Sequence, residues 1–316
     1  MQLRQLEYVV AAVEEGSFTA AARRCHVAQP SLSASVAALE RELGTPLFHR
    51  IGRTIRPTST CDDLLPRARD ALRAMEAAES VSRRRGDEVV GRLDLAVQPT
   101  LAATMAVSLV RSLLESHPAV SVRLLTPADD ESVADLVESG RCELGVAERS
   151  ARSGLQWQRL EAEAFVLVLP PGVEATDPPL AVLAEVAVVA PPAGTPTRRA
   201  LDDACAHAAL RPRIVVEAEP RDALLPLVAA GVGAAVLPAS SLPENPPEGV
   251  AVVELPGRRR ALGLLSRRAP LTPAADALRR LVRRTHSYPS PPNWARNATE
   301  TGGVLAQFGG GGLPEV

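Results

Sequence analysis

The chain has 316 residues and a formal net charge of −2, so bulk charge alone does not mark it as a nucleic-acid binder, although such an average hides differences between domains. All 35 fixed cations are arginines, which excludes a phosphate loop ending in Gly-Lys-Ser/Thr and any Schiff-base lysine. Hydrophobic residues make up 46% and aromatics 3%, enough for two or three cores built from Leu, Val and Ala. No apolar run approaches the ~18 residues of a membrane span. Met1–Glu7 lacks the plan of a secretory leader, so the expected compartment is the cytoplasm, with no membrane partner.

Leu3, Leu6, Val10 and Val13 recur at steps of three and four and predict a helix over residues 3–15. Gly16 stops it and Ser17 is a good N-cap for the next, which runs from Phe18 to about Cys25. After the turn His26-Val27-Ala28, a third helix opens at Gln29-Pro30, where proline breaks no intrahelical bond, and runs to Gly44. Leu32, Val36, Leu39 and Leu43 face inward, leaving Ser31, Ser33, Ala34, Ser35 and Ala38 for the outer surface and its margins. Two helices joined by a short turn describe a helix-turn-helix, although a small helical bundle has the same pattern. Residues 47–58 shift the balance, because they read as a hairpin with Ile51-Gly52 near its turn. Arg50, Arg53 and Arg56 recur along it every third residue, as in a basic wing placed to meet phosphates. Residues 1–60 carry seven arginines against five glutamates, a local excess of +2 within an acidic chain.

Gly16-Ser17-Phe18-Thr19-Ala20-Ala21-Ala22, Val27-Ala28-Gln29-Pro30-Ser31-Leu32-Ser33 and Leu39-Glu40-Arg41-Glu42-Leu43-Gly44-Thr45-Pro46-Leu47-Phe48-His49-Arg50 together resemble the signature of LysR-type transcriptional regulators, ungapped over about residues 1–66. The resemblance implies a winged helix-turn-helix that binds double-stranded DNA with its third helix in the major groove. Its DNA-contacting residues would be Ser17, Thr19, Gln29, Pro30, Ser31, Ser33, Ser35, Arg50, Arg53 and Arg56. Ala34-Ser35 stand where the family commonly has Arg-Gln, which leaves fewer direct base contacts and gives more weight to DNA shape. Cys61 replaces a frequent glycine after the wing.

Residues 59–84 read as one long helix in which Leu64, Ala68, Ala71, Met75 and Ala78 form a heptad seam. The resemblance implies an antiparallel dimerisation helix, which is favoured over packing on its own chain because the segment stands between two domains with few local partners. The arginine run at 83–85 followed by Gly86 ends it.

From Gly91 the pattern alternates strand and helix. Strands are expected at 93–97, 120–125, 144–147, 165–169, 186–190, 214–217 and 234–237, with helices at 101–116, 132–139, 197–208 and 223–230. Two such series suggest two subdomains. Gly91-Arg92-Leu93-Asp94-Leu95, Pro99-Thr100-Leu101-Ala102, His117-Pro118-Ala119-Val120 and the stretch from Leu227 to Pro238 resemble the LysR effector domain, to about residue 284. The expected fold class is therefore α plus α/β: a winged helix-turn-helix (1–58), a linker or dimerisation helix (59–86), a two-subdomain α/β effector domain resembling type 2 periplasmic binding proteins (90–286), and a disordered tail (287–316).

Ligands of open α/β sheets sit beyond the carboxyl ends of strands. That rule selects Gln98, Pro99 and Thr100 after one strand, Gly194, Thr195 and Thr197 after another, and Ala147 and Glu148 at the end of a third. The first two groups lead into helix N-termini suited to a small, anionic effector, although the threonines would serve equally as helix caps. No nucleophile elbow, zinc helix or clustered metal ligands are present, so no catalytic residue, metal or cofactor is expected. A free-standing ligand-binding protein remains the alternative, but it leaves the basic wing unexplained. Cys25, Cys61, Cys142 and Cys205 are scattered and read as small buried residues, a redox pair of Cys142 with Cys205 being the rarer reading. A homodimer or tetramer, with RNA polymerase as a further candidate partner, completes the expectation.

Overall fold

The computed structural model describes residues 1–51, 54–81, 88–127, 132–149, 154–243, 245–284 and 304–307. The expected wing residue Arg53, the side chain of Arg50, the arginine run at 83–85 and most of the tail lie outside the described residues.

The N-terminal part consists of α1 (Leu3–Glu15), α2 (Phe18–Arg24), α3 (Gln29–Leu43), the hairpin β1 (Phe48–Ile51) and β2 (Thr54–Pro57), and α4 (Ser59–Val81). Gly16 ends α1 at φ 62°, a left-handed conformation that a side chain would resist. Leu6, Val9, Leu32, Val36 and Leu39 meet in one core, closed by an edge-to-face pair of Phe18 and Phe48 with centroids 5.3 Å apart. Each fully buried aliphatic side chain of this kind contributes about 1.5–3 kcal/mol. Glu40 fixes the hairpin to α3 by accepting the N–H groups of Leu47 (2.7 Å) and Phe48 (3.2 Å). Leu43 departs from the expected inward stripe: it is 40% exposed, because α3 ends beside it at Gly44.

Chain contacts divide the molecule into two units, Met1–Arg159 with Gly263–His286, and Leu160–Leu262 with Ser287–Val316. In the first, α4 is followed by β3 (Gly91–Val97), α5 (Met105–Ser116), β4 (Val120–Leu125), α6 (Val133–Glu138) and β5 (Leu144–Glu148). β3 lies parallel to both β4 and β5. Gly145 admits α6 tightly onto β5: a Cβ there would lie 2.6 Å from a Val133 methyl carbon. β6 (Leu155–Leu169) starts in the first unit and ends in the second. The second unit continues with β7 (Val188–Ala190), α7 (Pro196–His207), β8 (Ile214–Glu217), α8 (Leu224–Ala229) and β9 (Ala235–Pro238). There β9 runs antiparallel to β6 and β7 parallel to β8. β10 (Ala251–Arg267) returns the chain to the first unit, where α9 (Pro273–Arg284) follows.

Several expectations need correction. The helix expected over 101–116 is a 3-10 turn at Pro99–Leu101 and then α5, which begins at Met105. Gln98, Pro99 and Thr100 therefore enter a short turn, not the first turn of a long helix. The strand expected at 186–190 begins only at Val188. β10 and the first half of β6 were not anticipated. Within the tail expected to be disordered, β11 (Val304–Gln307) pairs antiparallel with the start of β10, Ala251 opposite Gln307; Val-Leu-Ala-Gln is an apolar stretch in an otherwise polar and glycine-rich segment.

Candidate nucleic-acid interface and effector site

On α3 the core residues Leu32, Val36 and Leu39 define the inner face, and Gln29, Pro30, Ser31 and Ala34 are exposed. Ser33 and Ser35 are half-buried on the margins of that outer face. Thr19 is exposed and Ser17 half-buried at the start of α2. Arg56 is exposed on β2, paired in register with His49 of β1. The winged arrangement thus brings a helix with small outward side chains and a basic hairpin into one N-terminal core. The sequence pattern did not single out Arg41, which is exposed in the last turn of α3, where its Nε donates to the Ala37 carbonyl at 3.3 Å.

The seam expected on α4 divides. Ala68 is 1% exposed in the core of the N-terminal domain, with Leu64 and Ala71 packed against it, so Ala68 is unavailable to a second chain. Met75, 44% exposed, and Ala78 remain on the surface. The reason is geometric: the first turns of α4 continue directly from β2 and close the core of α1.

In the first unit, Gln98, Pro99, Thr100, Ala147 and Glu148 come together at the ends of β3 and β5. The Gln98 amide oxygen accepts the Glu148 N–H at 2.9 Å, and the Gln98 N–H donates to the Val146 carbonyl at 2.9 Å. That fixes the Gln98 side chain and turns its Nε2 away. Gln98 Nε2, Glu148 Oε2 and the hydroxyl of Thr104 are inaccessible to solvent and have no hydrogen-bond partner among the described residues. Buried polar atoms are nearly always paired, so such a group marks a place for a ligand or water. Thr104, the N-cap of α5, escaped the sequence reading because the helix was placed too early.

In the second unit Thr195 caps α7: its hydroxyl accepts the Arg198 N–H at 3.3 Å and donates to the Pro192 carbonyl at 2.9 Å. Thr197 is 2% exposed, and Gly194 is exposed. A buried ion pair also occupies this unit. Arg260, fully buried, meets Glu163 at 2.6 Å, and the other Glu163 oxygen takes the Ser240 N–H.

All four cysteines are free. Burial pushes the Cys142 thiol up to about 12 and raises that of Cys205, which keeps both protonated and unreactive near neutral pH. Among the described residues no group of three or more His, Cys, Asp or Glu is placed to hold a metal ion, and no helix is long and apolar enough to cross a membrane.

A winged helix-turn-helix joined through one long helix to paired α/β units defines a ligand-responsive, DNA-binding transcription regulator. Residues 3–62 match the family described as "Bacterial regulatory helix-turn-helix protein, lysR family", and residues 86–287 match the "LysR substrate binding domain". The chain belongs to the LysR family of transcriptional regulators. It is 34% identical over 297 residues to the HTH-type transcriptional regulator IlvR of Caulobacter vibrioides, covering 92% of this chain and 100% of that protein. It is 31% identical to the nitrogen assimilation regulatory protein nac of Klebsiella aerogenes, over 93% and 98% of the two chains. Among solved structures, full-length CbnR in complex with its target DNA aligns at a TM-score of 0.54 and 27% identity, over 91% of this chain and 100% of that one. A full-length OxyR variant from Pseudomonas aeruginosa aligns at 0.69 and 20% identity over 93% and 100%, which bears on the fold alone.

Proposed function

We propose that this regulator reads DNA with the outer face of α3 while its wing grips the phosphates, and that it acts in the cytoplasm without catalysing a reaction. The observation that carries this reading is the exposure of Gln29, Pro30, Ser31 and Ala34 on α3, in one core with the basic hairpin that bears Arg56. Gln29, Ser31, Ser33 and Ser35 offer short hydrogen-bonding groups to base edges, and Ala34 offers a methyl group suited to a thymine methyl. Ser17, Thr19, Arg50, Arg53 and Arg56 hold the backbone, which sets register and carries no sequence information. Met75 and Ala78 supply the exposed part of a dimer seam on α4, and CbnR, which resembles this chain, is known in complex with its target DNA.

The effector contacts proposed in the first unit are Gln98, Pro99, Thr100, Ala147 and Glu148; in the second unit, taken by itself, Gly194, Thr195 and Thr197 are the proposed contacts. The solvent-inaccessible Oε2 of Glu148 and Nε2 of Gln98 favour a small molecule that both donates and accepts hydrogen bonds over a simple anion, which the Glu148 carboxylate would repel.

Two variants separate the roles of helix and wing in anisotropy titrations of labelled operator and random DNA. Arg56→Ala weakens both DNAs alike and lowers the salt slope by about 1. Gln29→Ala lowers operator affinity by roughly tenfold or more, the loss of one base contact of about 1–3 kcal/mol, and leaves random DNA little changed. An Arg56→Ala loss confined to the operator would contradict the phosphate role.

A further inference from the structure

We propose that α4 is clamped to the effector-binding part of its own chain through Arg69, Asp70 and Arg73, and that Arg69 relays movements of the loop before β5 to the DNA-binding helices α1 and α2.

Pro66, Arg69, Asp70 and Arg73 are spaced three, one and three residues apart and share one face of α4. Its other face, with Leu65 and Ala68, belongs to the core of the DNA-binding domain. The polar face meets the loop between α6 and β5. Arg69 Nη1 donates to the Ser139 carbonyl and Arg73 Nη1 to the Gly140 carbonyl, each at 2.7 Å. Asp70 takes both terminal nitrogens of Arg267 at the end of β10, Nη1 on Oδ2 at 2.6 Å, and a third bond from Arg73 Nη2 at 2.6 Å. The backbones approach closely: a Cβ on Gly140, whose φ is +71°, would lie 3.1 Å from the Cα of Pro66.

Arg69 is the bridge between the two sides. It is 7% exposed, and while Nη1 holds Ser139, Nη2 reaches Glu14 of α1 at 3.1 Å. The other oxygen of Glu14 takes Arg24 of α2 at 2.8 Å. Ser139, Arg69, Glu14 and Arg24 therefore form a continuous polar chain from the effector-binding part to α2, the first helix of the helix-turn-helix. Beside it, α1, α4 and strands β3 and β4 line a cavity of about 970 Å³ that includes Arg24, Arg69, Arg73 and Arg123 in its walls.

On the effector side, β5 runs from this loop to Ala147 and Glu148, a distance of about 3.3 Å per residue. Gly145 packs β5 tightly against α6, so the strand and helix move as one body. A ligand that draws on Glu148 thereby displaces Ser139 and Gly140. Directional, bidentate bonds suit such a switch: they either form or break and do not slide as an apolar contact would. The direction of this signal rests on the effector site proposed above; the clamp itself does not.

The test is hydrogen–deuterium exchange on the full-length protein, comparing the wild type with Arg267→Ala and with the near-isosteric Asp70→Asn. Neither residue touches α2. The expected result is faster exchange in α1 and α2, roughly tenfold, as for the loss of a charge-assisted hydrogen bond, with the double variant no worse than the worse single one. Faster exchange confined to α4, the 139–143 loop and the end of β10 would overturn the relay. Glu148→Gln tests the direction separately. If it leaves α1 and α2 unchanged while Arg267→Ala still affects them, the clamp stands and the placement of the effector at Glu148 fails.

Discussion

At Gln98 the amide oxygen accepts the Glu148 N–H, which leaves the Gln98 amide nitrogen and Oε2 of Glu148 without a partner among the described residues. This pairing predicts what the site accepts. In thermal-shift measurements, small molecules with an amine or amide beside an acceptor raise the melting temperature, and simple monocarboxylates do so less. Glu148→Gln removes the distinction, lowering affinity for amines about tenfold or more through loss of a charged hydrogen bond. Equal response to both classes in the wild type would contradict the assignment. The sequence rule selects these positions because strand ends in open α/β sheets are ligand positions whatever the side chain, and the proposed site rests on that rule together with the Gln98–Glu148 contact. Arg69, Asp70 and Arg73 were not, because a charged face on a long helix reads as a solvated one until something is seen to pack on it.

Among the elements, helices of the N-terminal domain were legible because their apolar residues recur with helical period between a left-handed Gly16 and a proline at the start of α3. The long strand β10 was not, because Pro256-Gly257 followed by Arg258, Arg259 and Arg260 breaks its pattern, and Arg260 is buried against Glu163 and the Phe165 ring, which the sequence pattern does not reveal. α4 was read correctly as one helix, but its seam was assigned to a partner, when half of it closes the chain's own core. The packing of α6 on β5 gives a direct prediction. Gly145→Ala introduces a methyl group where 2.6 Å is available and lowers stability by about 1–3 kcal/mol in urea unfolding, as overpacking does. The clamp adds a pH dependence. Burial pushes the Asp70 carboxyl up, but Arg267 and Arg73 outweigh it and hold it below its ordinary value. Glu14 behaves likewise against Arg24 and Arg69. A depressed carboxylate stabilises above its unfolded pKa and loses that contribution as pH falls through the folded one. Glu143 has the opposite sign: burial raises its pKa despite its bonds to Thr272, so its contribution fades as pH rises. Unfolding midpoints should therefore fall below the ordinary carboxylate range, and Asp70→Asn should flatten that acid limb. A wild-type limb identical to that of Asp70→Asn would remove the clamp from the explanation.

At the scale of the molecule, the helix-turn-helix motif and the strand–helix alternation were legible because they are local patterns, and both are present in the structure. What the sequence could not carry were the long-range pairings, β6 and β10 passing through both units and β11 returning to β10, because register between distant strands leaves no local periodicity. The account's central claim is that this chain binds specific DNA through α3 and the wing. The direct measurement is anisotropy of the full-length protein on DNA from upstream of its own gene, with random competitor, over a range of salt concentrations. The account predicts affinity at least about a thousandfold above random DNA, falling steeply as salt rises. Absence of binding even at low salt would contradict it.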